Sequence, residues 1–248
     1  MTLLSLNGVS KKFGEVVVAR EITFQLDAGE SLGIVGPNGA GKTSLFGIIT
    51  GDLKPESGAI TLDGANLLSM SAARRTHAGV GRTYQVPRPF EHMTVFENVL
   101  VAAQQGAGAA RLASYDLACE ALSTAQLSDY ANRSAASLGL LHRKRLELAR
   151  ALATQPKVLL LDEIAGGLTD LEVNDLTDIV KGIQSEGIAV VWIEHVVRAL
   201  MSTVSRLLCL ANGAVVADGK PDEVLASEEV RAVYLGDRVI TTRRLADS

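Results

Sequence analysis

Gly36-Pro37-Asn38-Gly39-Ala40-Gly41-Lys42-Thr43 fits the spacing G-x-x-x-x-G-K-[ST]. A compact apolar strand, Ser31-Leu32-Gly33-Ile34-Val35, precedes it. A helix is expected to follow from about Lys42, stopping at Gly51 with Pro55 beyond. Glycines in that context let successive backbone N–H groups turn inward around phosphate oxygens, and the helix N-terminus adds positive potential. Lys42 can reach the β- and γ-phosphates of a nucleotide, and the Thr43 hydroxyl can ligate Mg²⁺. A second apolar strand, Val158-Leu159-Leu160-Leu161, ends in Asp162-Glu163. Asp162 is placed to hold Mg²⁺, directly or through water, and Glu163 to polarise an attacking water. His195 follows a third apolar strand, Val190-Val191-Trp192-Ile193, with Glu194 between, and could reach a γ-phosphate. Phe13 could stack on an adenine face or sit in a core. Gln85, alone in a loop, carries no signal of its own.

Those residues need elements to position them. Val16–Ala19 and Ile22–Leu26 read as two short strands divided by charge, and Gly58–Asp63 as another before the Gly64 turn. From about residue 86 to 150 the pattern turns helical. Thr94 and Glu97 make a capping box ahead of Val99, Leu100 and Val101. Gly106-Ala107-Gly108-Ala109-Ala110 reads as a flexible break, and helical spacing resumes through Leu117, Ala121 and Leu122. Leu146, Ala149, Leu152 and Ala153 continue it until Pro156. Beyond Pro156, helix-period residues Val173, Leu176, Ile179, Val180 and Ile183 alternate with strands at Val158–Leu161, Ile188–Ile193 and Leu207–Leu210. Buried strands alternating with helices imply a parallel sheet covered on both faces. The expected division is a core of residues 1–85 and 151–248 around an inserted helical unit, 86–150. The tail, Thr241–Ser248, reads as loose.

Composition narrows the function classes. The chain has 248 residues, 24 Lys+Arg and 28 Asp+Glu, hence a charge of −4, with 47% hydrophobic residues. This suits an ordinary folded domain and argues against a broad basic face for nucleic acid. Cys119 and Cys209 make neither a CxxC pair nor a metal cluster, and Cys209 within Leu207–Leu210 reads as a small buried hydrophobe. A disulfide framework is not expected, which suits a reducing compartment. Met1–Asn7 does not read as a secretory signal, and no segment reaches the roughly 18 apolar residues that span a bilayer. Any membrane role would go through a partner.

Together these motifs, in this order from about Leu4 to Gly236, resemble the ATPase subunit of an ABC transporter. The resemblance implies an α/β P-loop NTPase: a RecA-like parallel sheet with an N-terminal antiparallel β-subdomain and an inserted α-helical subdomain. It makes Gly36, Pro37, Asn38, Gly39, Ala40, Gly41, Lys42, Thr43 and Ser44 the nucleotide loop, and Phe13 the adenine-stacking aromatic. Gln85 becomes the Q-loop residue, Asp162-Glu163 the Walker B pair and His195 the switch histidine. Glu163, His195 and Gln85 would be catalytic, and Thr43, Gln85 and Asp162 would serve Mg²⁺. The cofactors implied are ATP and Mg²⁺. The partners implied are integral membrane permease subunits, a second ATPase subunit, the same or different, and indirectly a periplasmic or extracellular solute-binding protein. No nucleic acid is implied. Such a subunit sits peripherally on the cytoplasmic face of the inner or plasma membrane. Arg82–Phe90, Thr94–Ala102, Trp192–Met201 and Tyr234-Leu235-Gly236 resemble importers for branched-chain amino acids, and importers of urea and other amides share much of this wording. The solute would be chosen by other subunits.

The resemblance has departures. The family signature, Leu-Ser-Gly-Gly-Gln, is here Leu138-Gly139-Leu140-Leu141-His142. The serine hydroxyl is gone and both family glycines are leucine. In the family this loop caps the γ-phosphate held by the opposite subunit, so its alteration suggests an asymmetric heterodimer. The alternative is an altered loop that still works, with His142 donating. Ile164 stands where proline is usual, Thr169 where aspartate is common, and the Gly106–Ala110 break looks short for the helical subdomain. Two other classes compete: an ATPase serving no transporter, and a nucleotide-binding regulatory subunit with weak hydrolysis. The single cassette and short insert count against the first, and intact Glu163 and His195 against the second.

Overall fold

The computed structural model describes residues 1–234. Residues 235–248, with the expected loose tail and the Leu235-Gly236 pair, lie outside them. In chain order the elements are β1 (Thr2–Phe13), β2 (Val16–Asp27), β3 (Ser31–Val35), α1 (Lys42–Thr50), β4 (Ser57–Leu62), β5 (Ala65–Asn66), α2 (Ala72–Ala78), β6 (Val80–Arg82) and α3 (Val95–Gly106). There follow α4 (Arg111–Thr124), α5 (Leu140–Leu152), β7 (Val158–Asp162), α6 (Asp170–Ser185), β8 (Ala189–Ile193), α7 (Val197–Met201), β9 (Arg206–Ala211), β10 (Ala214–Gly219) and α8 (Pro221–Ala226).

Two sheets form. An antiparallel sheet runs β2-β1-β4-β5, and a six-stranded sheet runs β10-β9-β3-β8-β7-β6. Within the second, β9, β3, β8, β7 and β6 are parallel, and β10 closes one edge antiparallel to β9. Alternate side chains on these strands face opposite cores, as a pleated strand requires. Leu159, Leu161, Val190, Trp192 and Leu207 point to the face covered by α3, α4, α5 and α6. Leu32, Ile34, Leu160, Val191 and Leu208 point to the face covered by α1 and the antiparallel sheet. Such double burial is why these strands read as continuous apolar runs.

Three expectations are corrected. Val16–Asp27 is one 12-residue strand, not two. Between the pairs Val9↔Ile22 and Lys11↔Ala19, β2 carries one extra residue, and Glu21 takes φ +48°. The Arg20-Glu21 pair therefore marks a β-bulge, not a break. The helix expected around Leu146 begins earlier, at Leu140, so the altered signature loop itself opens α5. Gly106 ends α3 as a close packing point rather than a hinge, since a Cβ there would lie 2.4 Å from Thr154 Cγ2.

The capping box of Thr94 and Glu97 forms on α3, and Thr169 makes a second with Glu172 on α6. The residue that replaces the family's common aspartate thus starts the helix after the Walker B loop. Thr169→Ala should cost about 1 kcal/mol. Thermal unfolding should show this as a drop of about 2–4 °C in Tm.

Candidate functional site

Four parallel strands deliver the candidate residues to one edge of the sheet. β3 runs into the glycine loop, β7 ends at Asp162, β8 ends before Glu194-His195, and β6 leads to Thr83–Gln85. The carboxyl edge of a parallel sheet is where such folds bind ligands.

The glycine loop is held by close main-chain contacts. A Cβ at Gly36 would lie 2.1 Å from the Leu210 carbonyl oxygen, and one at Gly41 would lie 2.1 Å from that of Val18. Gly41 also has φ +101°. No side chain fits either place. The Gly213 N–H donates to Ala40 O at 3.1 Å, and the Arg20 N–H donates to Gly213 O at 2.7 Å, so β2 and the β9–β10 turn brace the loop. Lys42 is buried, and its Nζ donates to the carbonyls of Gly36 at 2.7 Å and Pro37 at 3.0 Å.

Residues 38–44 line a cavity with Val16, Val18 and Glu163. It therefore contains Lys42, Thr43 and Ser44. Phe13 pairs with Val16 across the β1–β2 hairpin and is half exposed, with Lys11 Nζ 5.0 Å from its ring centroid. It stands beside the cavity rather than in its lining. Val16 and Val18 were not singled out from sequence, and the apolar start of β2 just after the hairpin turn was their signal.

Glu163, Gln85 and His195 come together. Gln85 Nε2 donates to Glu163 Oε2 at 2.6 Å, and His195 Nε2 lies 2.8 Å from Glu163 Oε1. Glu163 takes φ +49°, and its N–H donates to Ile193 O at 2.9 Å. A left-handed glutamate costs of order 1–3 kcal/mol, and the surrounding ties hold it there. Beneath it, buried Glu194 accepts the N–H groups of Ala165 at 2.6 Å, His195 at 3.0 Å and Val196 at 3.3 Å. One carboxylate thus ties the turn after Glu163 to the segment carrying His195. Burial pushes the Glu194 carboxyl above the ordinary range, against the pull of those N–H groups.

Asp162 is 2% exposed and accepts from Arg82 Nη2 at 2.9 Å. Arg82 also reaches Asp52 at 3.2 Å. Burial raises the Asp162 pKa, and Arg82 opposes the rise. Its other oxygen, Oδ1, is buried with no hydrogen-bond partner. That orphaned oxygen, together with the Thr43 hydroxyl and the Gln85 amide, suits a hard cation such as Mg²⁺. Among the described residues no three His, Cys, Asp or Glu side chains cluster as a metal site, so a cation here would take hydroxyl, amide and phosphate oxygens as well. Arg82 and Glu194 were missed from sequence, because an arginine on a strand or a glutamate before a histidine has no distinctive local pattern.

At the altered signature, Gly139 caps α5 in an extended conformation with no side-chain cap. Leu140 is half exposed, and a Cβ at Gly167 would lie 3.2 Å from its Cδ2, so its side chain leans on the loop after Glu163. His142 stacks on Tyr130 with ring centroids 4.2 Å apart, and Arg133 lies over Tyr130 at 4.7 Å. Burial, with Arg145 and Arg133 nearby, lowers the His142 pKa, against a smaller pull from Glu172. Cys209 is buried in β9, Cys119 is exposed on α4, and both are free. Burial pushes the Cys209 thiol up.

A depressed imidazole pKa favours the neutral ring in the fold. Its contribution to stability is complete above the unfolded value near 6.5 and is lost as pH falls through the lower folded value. Melting curves should therefore show an acid-side loss below about pH 6.5 that His142→Gln reduces.

Comparison with known proteins shows the family and the fold. Residues 19–166 match the family described as "ABC transporter", and residues 214–240 match "Branched-chain amino acid ATP-binding cassette transporter". The chain is 32% identical to the high-affinity branched-chain amino acid transport ATP-binding protein BraF of Pseudomonas aeruginosa, covering 95% of this chain and 98% of that one. It is 29% identical to the lipopolysaccharide export system ATP-binding protein LptB of Haemophilus influenzae, covering 96% and 99%. Among solved structures, the ADP conformation of MJ1267, an ATP-binding cassette of an ABC transporter, superposes with TM-score 0.86 at 29% identity, covering 95% and 99%.

Proposed function

The chain belongs to the ABC transporter ATP-binding family and is an ATPase; we propose that it powers an importer of branched-chain amino acids or a related amino acid or amide solute. The observation that carries the solute class is the match of residues 214–240, since similarity across the cassette also extends to an export protein. No helix among the described residues is long and apolar enough to cross a membrane. Its likeness to ATP-binding subunits of membrane transporters supports action on permease subunits from the cytoplasmic face. Those permeases, with a solute-binding protein beyond them, select the solute.

In this reading residues 1–85 and the described part of 151–248 form the nucleotide core, and 86–150 the inserted helical unit. Residues 36–44 bind the ATP phosphates, with Phe13 beside the adenine. Thr43, Gln85 and Asp162 hold Mg²⁺, which neutralises charge on the β- and γ-phosphates when bound. Glu163 accepts the proton of the attacking water, held between Gln85 and His195. His195 faces the γ-phosphate. Exposed Tyr84, Val86, Phe90 and Met93 near Gln85 form the permease-facing surface. Cells lacking this chain should lose leucine, isoleucine and valine uptake, and wild-type chain but not Glu163→Gln should restore it. Intact uptake of all three with loss of urea or amide uptake would move the solute to the amide class.

The signature loop favours an asymmetric pair. Without the serine hydroxyl, Leu138–His142 would cap a partner's γ-phosphate poorly, while this chain's own site would be completed by a partner's intact signature. The same loop keeps a regulatory subunit with weak hydrolysis as a second reading. Nothing lies within 4 Å of a Cβ at Gly139, so a serine fits there. Restoring Leu-Ser-Gly-Gly-Gln at 138–142 should raise the ATPase rate of the purified chain by about 10²–10³-fold, the worth of one transition-state donor. An unchanged rate would sink the asymmetry.

A further inference from the structure

α5 opens in the altered signature loop, yet its buried polar side chains reach back into this chain's own site. Lys144 is 4% exposed, and its Nζ donates to the main-chain carbonyls of Gln85 at 3.3 Å and Glu163 at 3.1 Å. Three residues on, buried Glu147 accepts the Arg88 N–H at 2.8 Å. Arg150 Nη1 donates to Arg88 O at 3.0 Å and to Glu147 Oε1 at 2.7 Å. One helix therefore grips the main chain of residues 85–88 and the turn at Glu163 together.

A buried ammonium is costly and persists where its partners are fixed. Burial lowers the Lys144 pKa, and the carboxylates of Glu194 and Glu163 oppose that. The two carbonyls Lys144 holds belong to the two residues whose side chains meet at 2.6 Å. Lys144 thus hydrogen-bonds to both of their main chains from α5.

We propose that Lys144 is a positioning residue that sets the spacing of Gln85 and Glu163 and ties both to the helix of the signature loop. The proposal rests on the reading of Glu163 as the base. A shift of α5, whose first turn faces the opposite subunit in that reading, moves Lys144 and with it both carbonyls. The altered loop thus keeps a task in this chain's own site, whatever it does for a partner's nucleotide.

Amide hydrogen exchange on the full chain, then ATP turnover in the assembled transporter, tests this. Lys144→Met should speed exchange roughly tenfold in segments 83–90 and 163–168, while segment 36–44 stays within about twofold of wild type. Lys144→Arg, which keeps charge and reach, should restore most of the protection. Turnover in Lys144→Met should fall roughly tenfold in kcat, with KM for ATP changed by less than about twofold. Unchanged exchange in both segments, or equal acceleration throughout the chain, would overturn the proposal. A KM change as large as the kcat change would do so too. If Lys144→Met fails to fold, Lys144→Gln is read by the same criteria. Wild-type turnover in Glu163→Gln would instead overturn the reading of the base, and the exchange profile would still decide the role of Lys144.

Discussion

The glycine loop is wedged between two carbonyl oxygens, those of Val18 and Leu210, with no space for a Cβ at Gly41 or Gly36. That contact is main chain against main chain, so it brings β2 and the β9–β10 turn to fixed places around the loop. It also sets where the antiparallel sheet sits over the parallel one. The cavity follows, with Val16 and Val18 on one wall and Glu163 on another. The parallel register then places β8 beside β3 and β7 beside β8, so that Glu163 and His195 arrive at hydrogen-bonding distance.

Sequence carried the parts of this arrangement whose physics is local. The glycine loop is eight consecutive residues with a strand before and a helix after. Asp162-Glu163 closes an apolar run, and the capping box at Thr94 spans four residues. Each is legible because cause and effect lie within one turn or strand. The alternation of buried strands and helices similarly announced a parallel sheet covered on both faces.

What sequence missed depends on residues far apart in the chain. Arg82 matters because Asp162 lies next to it in space. Glu194 matters because it collects three N–H groups from two loops. Lys144 and Glu147 sit on a helix whose apolar spacing was plain, but their acceptors and donors lie in another segment. Arg20-Glu21 looked like a break because charge interrupts a strand pattern, and the bulge that houses it shows only in the β1–β2 register. Gly106 looked like freedom and is instead a tight contact with Thr154.

The hydrogen bonds that α3 and α5 make to residues 85–90 go to peptide groups. Lys144 takes Gln85 O, Glu147 and Arg150 take Arg88 N–H and O, and Asn98 takes the Phe90 N–H at 2.7 Å and its carbonyl at 3.1 Å. The outward side chains of Val86 and Arg88 carry none of those bonds, and Phe90 adds a ring contact with Arg150 at 5.2 Å. Peptide groups are the same whatever residue they belong to, so substitutions along this stretch can rewrite its outer chemistry while its path through space stays put. A lineage could readdress such a cassette to a different neighbour by point mutation alone, with no refolding of the scaffold that hydrolyses the nucleotide.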